Sequence, residues 1–175
     1  RLDDLNEAFA DASVDIILCS RGGYGMQHLV DKIVLPSRPK SEWPLVVGFS
    51  DITVLHALMS LHGVPSLHAS MCKALATLPD DSEALKQLKN ALKSGKIEVF
   101  SGIEGHKVIG GNLSLLHALQ GTPYSLNAII DGCEKPPMLL LEDIGERHYH
   151  IDRMLQNLRM SGVLSRVAGV IVGQF

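Results

Sequence analysis

Short apolar runs alternate with segments of helical periodicity along the first half of the chain. The runs at 14–19 and 45–48 are typical of strands that are buried on both faces of a parallel sheet. Apolar residues recur at helical spacing within 2–12 and 51–62, and a shorter helix is predicted to end near residue 33. This alternation of strand, turn and helix predicts an α/β fold with a parallel sheet.

The second half of the chain has a different character, with shorter strand candidates between its helices. We predict helices at 80–93, after Asn112 and around 151–158, and strands at 97–100, 107–109, 138–141 and 167–172. The change in character places a candidate domain boundary within 94–106. We therefore divide the chain into domains at 1–96 and 97–175.

Composition and charge exclude several classes of partner. A net charge of -3, without a long basic run, gives no reason to expect nucleic acid. No apolar run approaches the roughly 20 residues of a membrane helix, and no signal peptide is visible. Neither nucleic acid nor a membrane is therefore expected as a partner. The chain begins at Arg1 and ends abruptly after an apolar run, so we expect it to be a truncated piece.

Cysteine and histidine usage indicates neither a metal nor another cofactor. The three cysteines are widely spaced and form no C-x-x-C pair, which fits a reducing, cytoplasmic location. His148 and His150 are two residues apart, and no H-E-x-x-H motif occurs.

Ser50 is the sharpest candidate for chemistry. It follows the apolar run that ends at Gly48 and precedes a predicted helix. A serine on such a turn projects its hydroxyl above the sheet edge, and the backbone N–H of Asp51 could donate to an oxyanion. The motif is G-F-S-D-I rather than G-x-S-x-G, and a plain helix N-cap is the commoner explanation of such a serine.

Three further segments carry candidate residues. The glycines at 22 and 23, after the first predicted strand, could turn N–H groups towards an anion or simply form a tight turn. Glu142 ends an apolar strand and could orient a catalytic histidine or be a solvated strand end. The glycine turn of Gly110, Gly111 and Asn112 could be structural or line a cleft, and we retain these three as candidate substrate-binding residues.

Taken together, these segments resemble the LD-carboxypeptidase family of serine peptidases. The matching motifs occur in the family's order over nearly the whole chain, and five in order are specific although each is modest alone. They are R-G-G-Y-G at 21–25, G-F-S-D-I-T at 48–53, G-G-N-L-S-L-L at 110–116, G-T-P-Y at 121–124 and L-L-L-E-D-I-G-E at 139–146, the last followed by Y-H-I-D-R-M-L at 149–155.

The resemblance implies a role for each matching residue. Ser50 matches the nucleophile, Glu142 matches the acid of the triad, and Gly22, Gly23 and Asp51 match the oxyanion hole through their backbone N–H groups. The family's histidine lies beyond residue 175, so we expect the base to be outside this chain. Among the histidines of this chain, His68 is the least implausible substitute for that base, and His106 and His148 are further possibilities.

The resemblance also implies a fold and an activity. The fold is a flavodoxin-like parallel-sheet domain followed by part of a smaller α/β domain, often in a homodimer. The activity is removal of the terminal D-alanine from a cytoplasmic muropeptide tetrapeptide at an L,D bond, without a metal. The alternatives are a related serine peptidase that acts on peptidyl-nucleotides, of the microcin C immunity type, and a non-catalytic ligand-binding α/β domain.

Overall fold

The computed structural model describes residues 1–94 and 103–175, which form two parallel sheets with intervening helices. The strands are Ile16–Leu18 (β1), Leu45–Gly48 (β2), Ser66–His68 (β3), Val108–Asn112 (β4), Met138–Glu142 (β5) and Gly169–Val172 (β6). The helices are Leu2–Ala10 (α1), Thr53–Leu61 (α2), Cys72–Leu75 (α3), Glu83–Ser94 (α4), Leu113–Ala118 (α5), Leu126–Asp131 (α6) and His148–Met160 (α7). The predicted α/β class is confirmed.

Each sheet contains three parallel strands in sequence order. In the first, β2 lies between β1 and β3, with Val46 beside Ile17 and Gly48 beside His68. In the second, β5 lies between β4 and β6, with Glu142 beside Asn112. Parallel strands place their carboxyl ends at one edge of the sheet, where binding sites usually form.

Helix α2 joins the two sheets. It carries buried apolar side chains on most of its length, as expected of a helix covered on several sides. Thr53 at its start is fully buried, and its hydroxyl oxygen accepts a hydrogen bond from the backbone N–H of Asn112 at 3.0 Å. Val46 of the first sheet and Leu139 of the second belong to one continuous cluster of buried side chains.

The outer strand β1 is less buried than the sequence pattern predicted, and the outer strand β6 is also partly exposed. We expected the run at 14–19 to be buried on both faces, but Ile16 and Leu18 are 41% and 38% exposed. In the second sheet, Val172 of β6 is 70% exposed. The prediction for β1 was wrong because β1 is an edge strand in the described structure, with a neighbouring strand on only one side. Strand β6 is likewise an edge strand of its sheet.

Other differences from the predicted elements are local. Two 3-10 turns replace the short helix predicted to end near residue 33. The short helices α3 and α6 were not predicted, because neither is long enough to show helical periodicity. The predicted strand 97–100 and the boundary at 96/97 lie outside the described residues, so the division into domains stays a prediction.

Asn112 caps α5 as predicted, because its side-chain oxygen accepts a hydrogen bond from the backbone N–H of Leu115 at 3.2 Å.

Within the described ranges, no helix combines the length and the apolar character needed to cross a membrane.

His56 fastens α2 to the first sheet. Its Nε2 lies 2.9 Å from the carbonyl oxygen of Gly48, and its Nδ1 lies 2.8 Å from the hydroxyl of Ser66. Because a carbonyl only accepts, Nε2 carries the proton and Nδ1 accepts from the serine. Burial lowers the pKa of His56 to about 4, so the ring is neutral at pH 7.

Acid is expected to destabilise the fold through His56. Below its ordinary pKa of 6.5 the unfolded histidine takes up a proton, whereas the folded one stays neutral until about pH 4. As the pH is lowered from 6.5 to about 4, the free energy of unfolding should therefore decrease, by up to roughly 3 kcal/mol from this group. Urea unfolding of the full-length gene product at pH 7.0 and at about pH 4.5 measures the loss.

The matched variants for this experiment are His56→Gln and His148→Gln, since the second side chain is exposed. His56→Gln should lower stability at pH 7 and flatten the dependence on pH, whereas His148→Gln should keep the slope of the unsubstituted protein. Equal slopes in all three proteins would contradict the assignment.

Candidate active site

Ser50 occupies a strained turn between β2 and α2. Its φ is 61°, and it is the non-glycine residue with a positive φ in the described part of the chain. A side chain in this region costs on the order of 1–3 kcal/mol, so its presence points to a functional constraint. The geometry is that of a nucleophile elbow, in which a strand turns sharply into a helix and presents the serine hydroxyl.

The alternative of an ordinary N-cap is not supported. Ile52 precedes α2 at the cap position, and the side chain of Ser50 makes no capping hydrogen bond. Among residues 1–94 and 103–175, the Ser50 hydroxyl has no hydrogen-bond partner. It is therefore available to a substrate or to a base.

The glycine turn after β1 lies directly against Ser50. A Cβ atom added to Gly22 would lie 3.0 Å from the Cβ and 3.1 Å from the Oγ of Ser50. Only a residue without a side chain allows the backbone at position 22 to approach the Ser50 side chain so closely. Gly23, with φ of 129°, belongs to the same turn.

Asp51 fixes this arrangement with its side chain. The carboxylate is only 2% exposed, and its Oδ2 accepts a hydrogen bond from the backbone N–H of Met26 at 3.1 Å. A guanidinium nitrogen of Arg1 lies 3.9 Å from the same oxygen. Asp51 therefore ties the segment that follows the glycine turn to the turn that carries Ser50. Its proposed oxyanion role uses a different group, its backbone N–H.

A cleft of about 410 Å³ opens beside Ser50. Its walls come from the glycine turn, from the Ser50 turn and from the segment around α3. The lining residues are Arg21, Gly22, Gly23, Phe49, Ser50, Met71, Lys73, Ala74 and Thr77. The volume is suited to a small ligand or to the end of a longer one.

Glu142 ends β5 and faces the carboxyl end of the first sheet. Its Oε1 lies 3.9 Å from Nε2 of His68, which ends β3. This distance exceeds a hydrogen bond. Both Glu142 Oε1 and His68 Nδ1 are buried and have no hydrogen-bond partner among the described residues. Burial, reinforced by the neighbouring Asp143 carboxylate, raises the pKa of Glu142, whereas burial lowers the pKa of His68.

The local histidines do not complete a triad in the described structure. His68 approaches Glu142, but no hydrogen bond joins it to Ser50. His106 contacts the carbonyl oxygen of Pro136 at 2.8 Å, and His148 is an exposed residue at the start of α7. The three histidines considered as substitutes thus give no support to a base within the described ranges.

Gly110, Gly111 and Asn112 make internal contacts. A Cβ atom on Gly110 would lie 2.1 Å from the carbonyl oxygen of Leu140, and one on Gly111 would lie 2.7 Å from Oγ1 of Thr53. Asn112 is 4% exposed and donates to Asp143 at 3.1 Å. None of the three lines the described cleft beside Ser50. Their substrate-binding role therefore gains no support from these contacts, which instead fasten β4 in place.

Comparison with known protein families matches both halves of the chain. The N-terminal domain of LD-carboxypeptidases matches residues 1–69, and the C-terminal domain matches residues 104–175. The two domains occur in the order that the motifs predicted. The chain belongs to the LD-carboxypeptidase family. The elbow at Ser50 and the strand end at Glu142 lie within the matched N-terminal and C-terminal segments, respectively.

Individual LD-carboxypeptidase relatives match the chain over its whole length. It is 34% identical to the probable murein peptide carboxypeptidase of Bacillus subtilis and 30% identical to the murein tetrapeptide carboxypeptidase of Pseudomonas aeruginosa. Both alignments cover 100% of this chain, but they cover only 56% and 60% of those two proteins. The chain thus spans less than two thirds of their length.

A solved structure shows the same fold. The crystal structure of muramoyltetrapeptide carboxypeptidase from Oxalobacter formigenes superimposes with a TM-score of 0.77 at 28% identity. The match covers 97% of this chain and 59% of that one.

Two residues near the candidate site, Lys73 and Asp143, were not predicted from the sequence. Lys73 lies on the unpredicted helix α3, and its position beside the cleft depends on how that helix folds back. Asp143 was noted only as a neighbour of Glu142, but its buried carboxylate accepts hydrogen bonds from Ser114 and Asn112. The signal in the sequence that could have identified Asp143 was its position as an acidic residue directly before a turn.

Adding a methyl group at Gly22 should impair Ser50 without unfolding the protein. In Gly22→Ala the new Cβ would lie 3.1 Å from the hydroxyl oxygen of Ser50 and displace one of the two turns. We expect covalent labelling by a fluorophosphonate to slow by roughly 10- to 100-fold. The control is Gly132→Ala, whose added Cβ meets no heavy atom nearer than 3.5 Å. Labelling of Gly22→Ala at the unsubstituted rate would contradict the close packing of the two turns.

Proposed function

We propose that the full-length protein is a serine carboxypeptidase that removes the terminal D-alanine from muropeptide tetrapeptides at the L,D bond. The observation that carries this proposal is the strained φ of 61° at Ser50, beside a cleft and against the glycine turn. The names of the Bacillus and Pseudomonas relatives support murein peptides as the substrate class.

The geometry suggests how the reaction would proceed. The Ser50 hydroxyl attacks the carbonyl carbon of the last peptide bond and forms a tetrahedral intermediate. Backbone N–H groups of Gly22, Gly23 and Asp51 are the proposed donors to the oxyanion, where preorganised donors lower the barrier most effectively. D-alanine leaves as the amine, and water then hydrolyses the acyl-enzyme.

Glu142 is proposed as the acid that orients the catalytic histidine. Its buried oxygen Oε1 has no hydrogen-bond partner in the described residues, so it can accept one from an imidazole N–H. The base itself is expected from a part of the protein outside this chain. We further propose that the protein acts in the cytoplasm, where recycled muropeptides are found, and that it forms a homodimer.

Loss of the Ser50 hydroxyl should abolish turnover. In the full-length gene product, Ser50→Ala should reduce hydrolysis of a muropeptide tetrapeptide by about four or more orders of magnitude, because no other group can form the acyl-enzyme. Release of D-alanine and labelling by a fluorophosphonate provide two independent measurements. The control is Ser41→Ala, which changes an exposed serine that does not line the cleft.

The same assay separates the candidate functions. Ordinary turnover by Ser50→Ala would overturn the serine-peptidase proposal. Cleavage of a peptidyl-nucleotide in preference to the tetrapeptide would favour the microcin C immunity type of activity. Absence of both hydrolysis and labelling in the unsubstituted protein would favour a non-catalytic binding domain.

The role of Glu142 is tested by removing its charge while keeping its shape. Glu142→Gln should lower kcat by about 10³- to 10⁴-fold, because an amide cannot hold the histidine in the required tautomer. Glu134→Gln, at an exposed position, serves as the control and should keep normal turnover. Normal turnover in Glu142→Gln would remove this residue from the triad.

A further inference from the structure

Two positively charged side chains line the cleft beside Ser50. Arg21 directly precedes the glycine turn, and Lys73 lies on α3. The backbone N–H of Lys73 donates to the carbonyl oxygen of Ser20 at 3.0 Å, and the N–H of Cys72 donates to that of Cys19. These bonds fasten the start of α3 to the segment that directly follows β1. They place Lys73 next to the segment that carries Arg21.

Neither cation is neutralised within the described ranges. The ion pairs of residues 1–94 and 103–175 involve other basic groups, including Arg1 and Arg166. No Asp or Glu is among the described lining residues of the cleft. A chain with a net charge of -3 thus presents two positive groups beside its reactive serine. The cleft is therefore suited to an anionic group of the substrate.

A carboxypeptidase substrate carries such an anion at a fixed distance from the bond that is cleaved. The α-carboxylate of the last residue is separated from the scissile carbonyl carbon by one N–Cα–C unit, roughly 3–4 Å. A substrate carbonyl at Ser50 would therefore bring the carboxylate into the same small cleft. An arginine can bind a carboxylate through two parallel hydrogen bonds, and a lysine adds a second, more mobile charge.

We propose that Arg21 and Lys73 bind the free C-terminal carboxylate of the substrate. This inference rests on the proposed function, because it assumes that Ser50 attacks the last peptide bond. The two residues would make the enzyme an exopeptidase, since a peptide that continues beyond the cleaved bond has no carboxylate at that position. An amidated peptide would lose the same interaction.

The test compares one tetrapeptide with a free C-terminal carboxylate and its C-terminal amide, both assayed with the full-length gene product. The variants are Arg21→Gln and Lys73→Gln, and the control is Lys89→Gln, at an exposed position outside the cleft lining. Each cleft variant should lower kcat/KM for the acid tenfold or more, mainly through KM. The same variants should change kcat/KM for the amide less than threefold.

Two further measurements separate charge recognition from a structural effect. Arg21→Lys keeps the charge and should recover part of the preference for the acid. In the Ser50→Ala background, calorimetric binding of the acid should weaken on substitution of Arg21 or Lys73, whereas binding of the amide should change little. Thermal unfolding confirms that each variant is folded.

The outcomes distinguish the inference from the function on which it rests. Equal losses for the acid and the amide in both cleft variants would overturn the carboxylate site but leave a Ser50 peptidase in place. Failure of the unsubstituted protein to cleave either peptide would overturn the proposed function, and the carboxylate site with it. Efficient cleavage of the amide by the unsubstituted protein, at the rate of the acid, would overturn the inference alone.

Discussion

The spatial relation between Ser50 and Glu142 depends on the packing of β4 against the first turn of α2. Thr53 accepts a hydrogen bond from the N–H of Asn112, and Gly111 approaches Thr53 so closely that an added Cβ would lie 2.7 Å from its hydroxyl oxygen. Ser50 is three residues before Thr53, and Glu142 is the strand partner of Asn112. Because both sides of this contact are buried, it holds the carboxyl end of β4 against the turn that leads into α2.

The strained backbone conformation of Ser50 is stabilised by the residues packed around it. A positive φ at a serine costs on the order of 1–3 kcal/mol, which is a substantial fraction of the stability of a small domain. The turn is fixed on one side by buried residues of α2 and on the other by the Asp51 carboxylate, which accepts from Met26. His56 adds two hydrogen bonds between α2 and the first sheet. The serine thus keeps a conformation that it would not adopt in an isolated peptide.

The sequence predicted those parts of the structure that depend on local pattern. The buried strand before Ser50 and the cap at Asn112 are confirmed, because each is determined by neighbouring residues. Burial of β1 was wrongly predicted, since an apolar run does not reveal whether a strand has one neighbour or two. The position of Lys73 could not be predicted either. It follows from backbone hydrogen bonds between segments about 50 residues apart in the chain.

The two groups of donors around Ser50 would act on different charges. The oxyanion is absent from the substrate and forms only as the hydroxyl attacks, so backbone N–H groups directed at it would stabilise the transition state selectively and raise kcat. The C-terminal carboxylate is charged before, during and after the attack. Arg21 and Lys73 would therefore bind substrate and transition state about equally, which lowers KM and selects the cleavable peptide without accelerating the chemical step. The neutral backbone donors would thus act on turnover, whereas the two cations would act on substrate specificity.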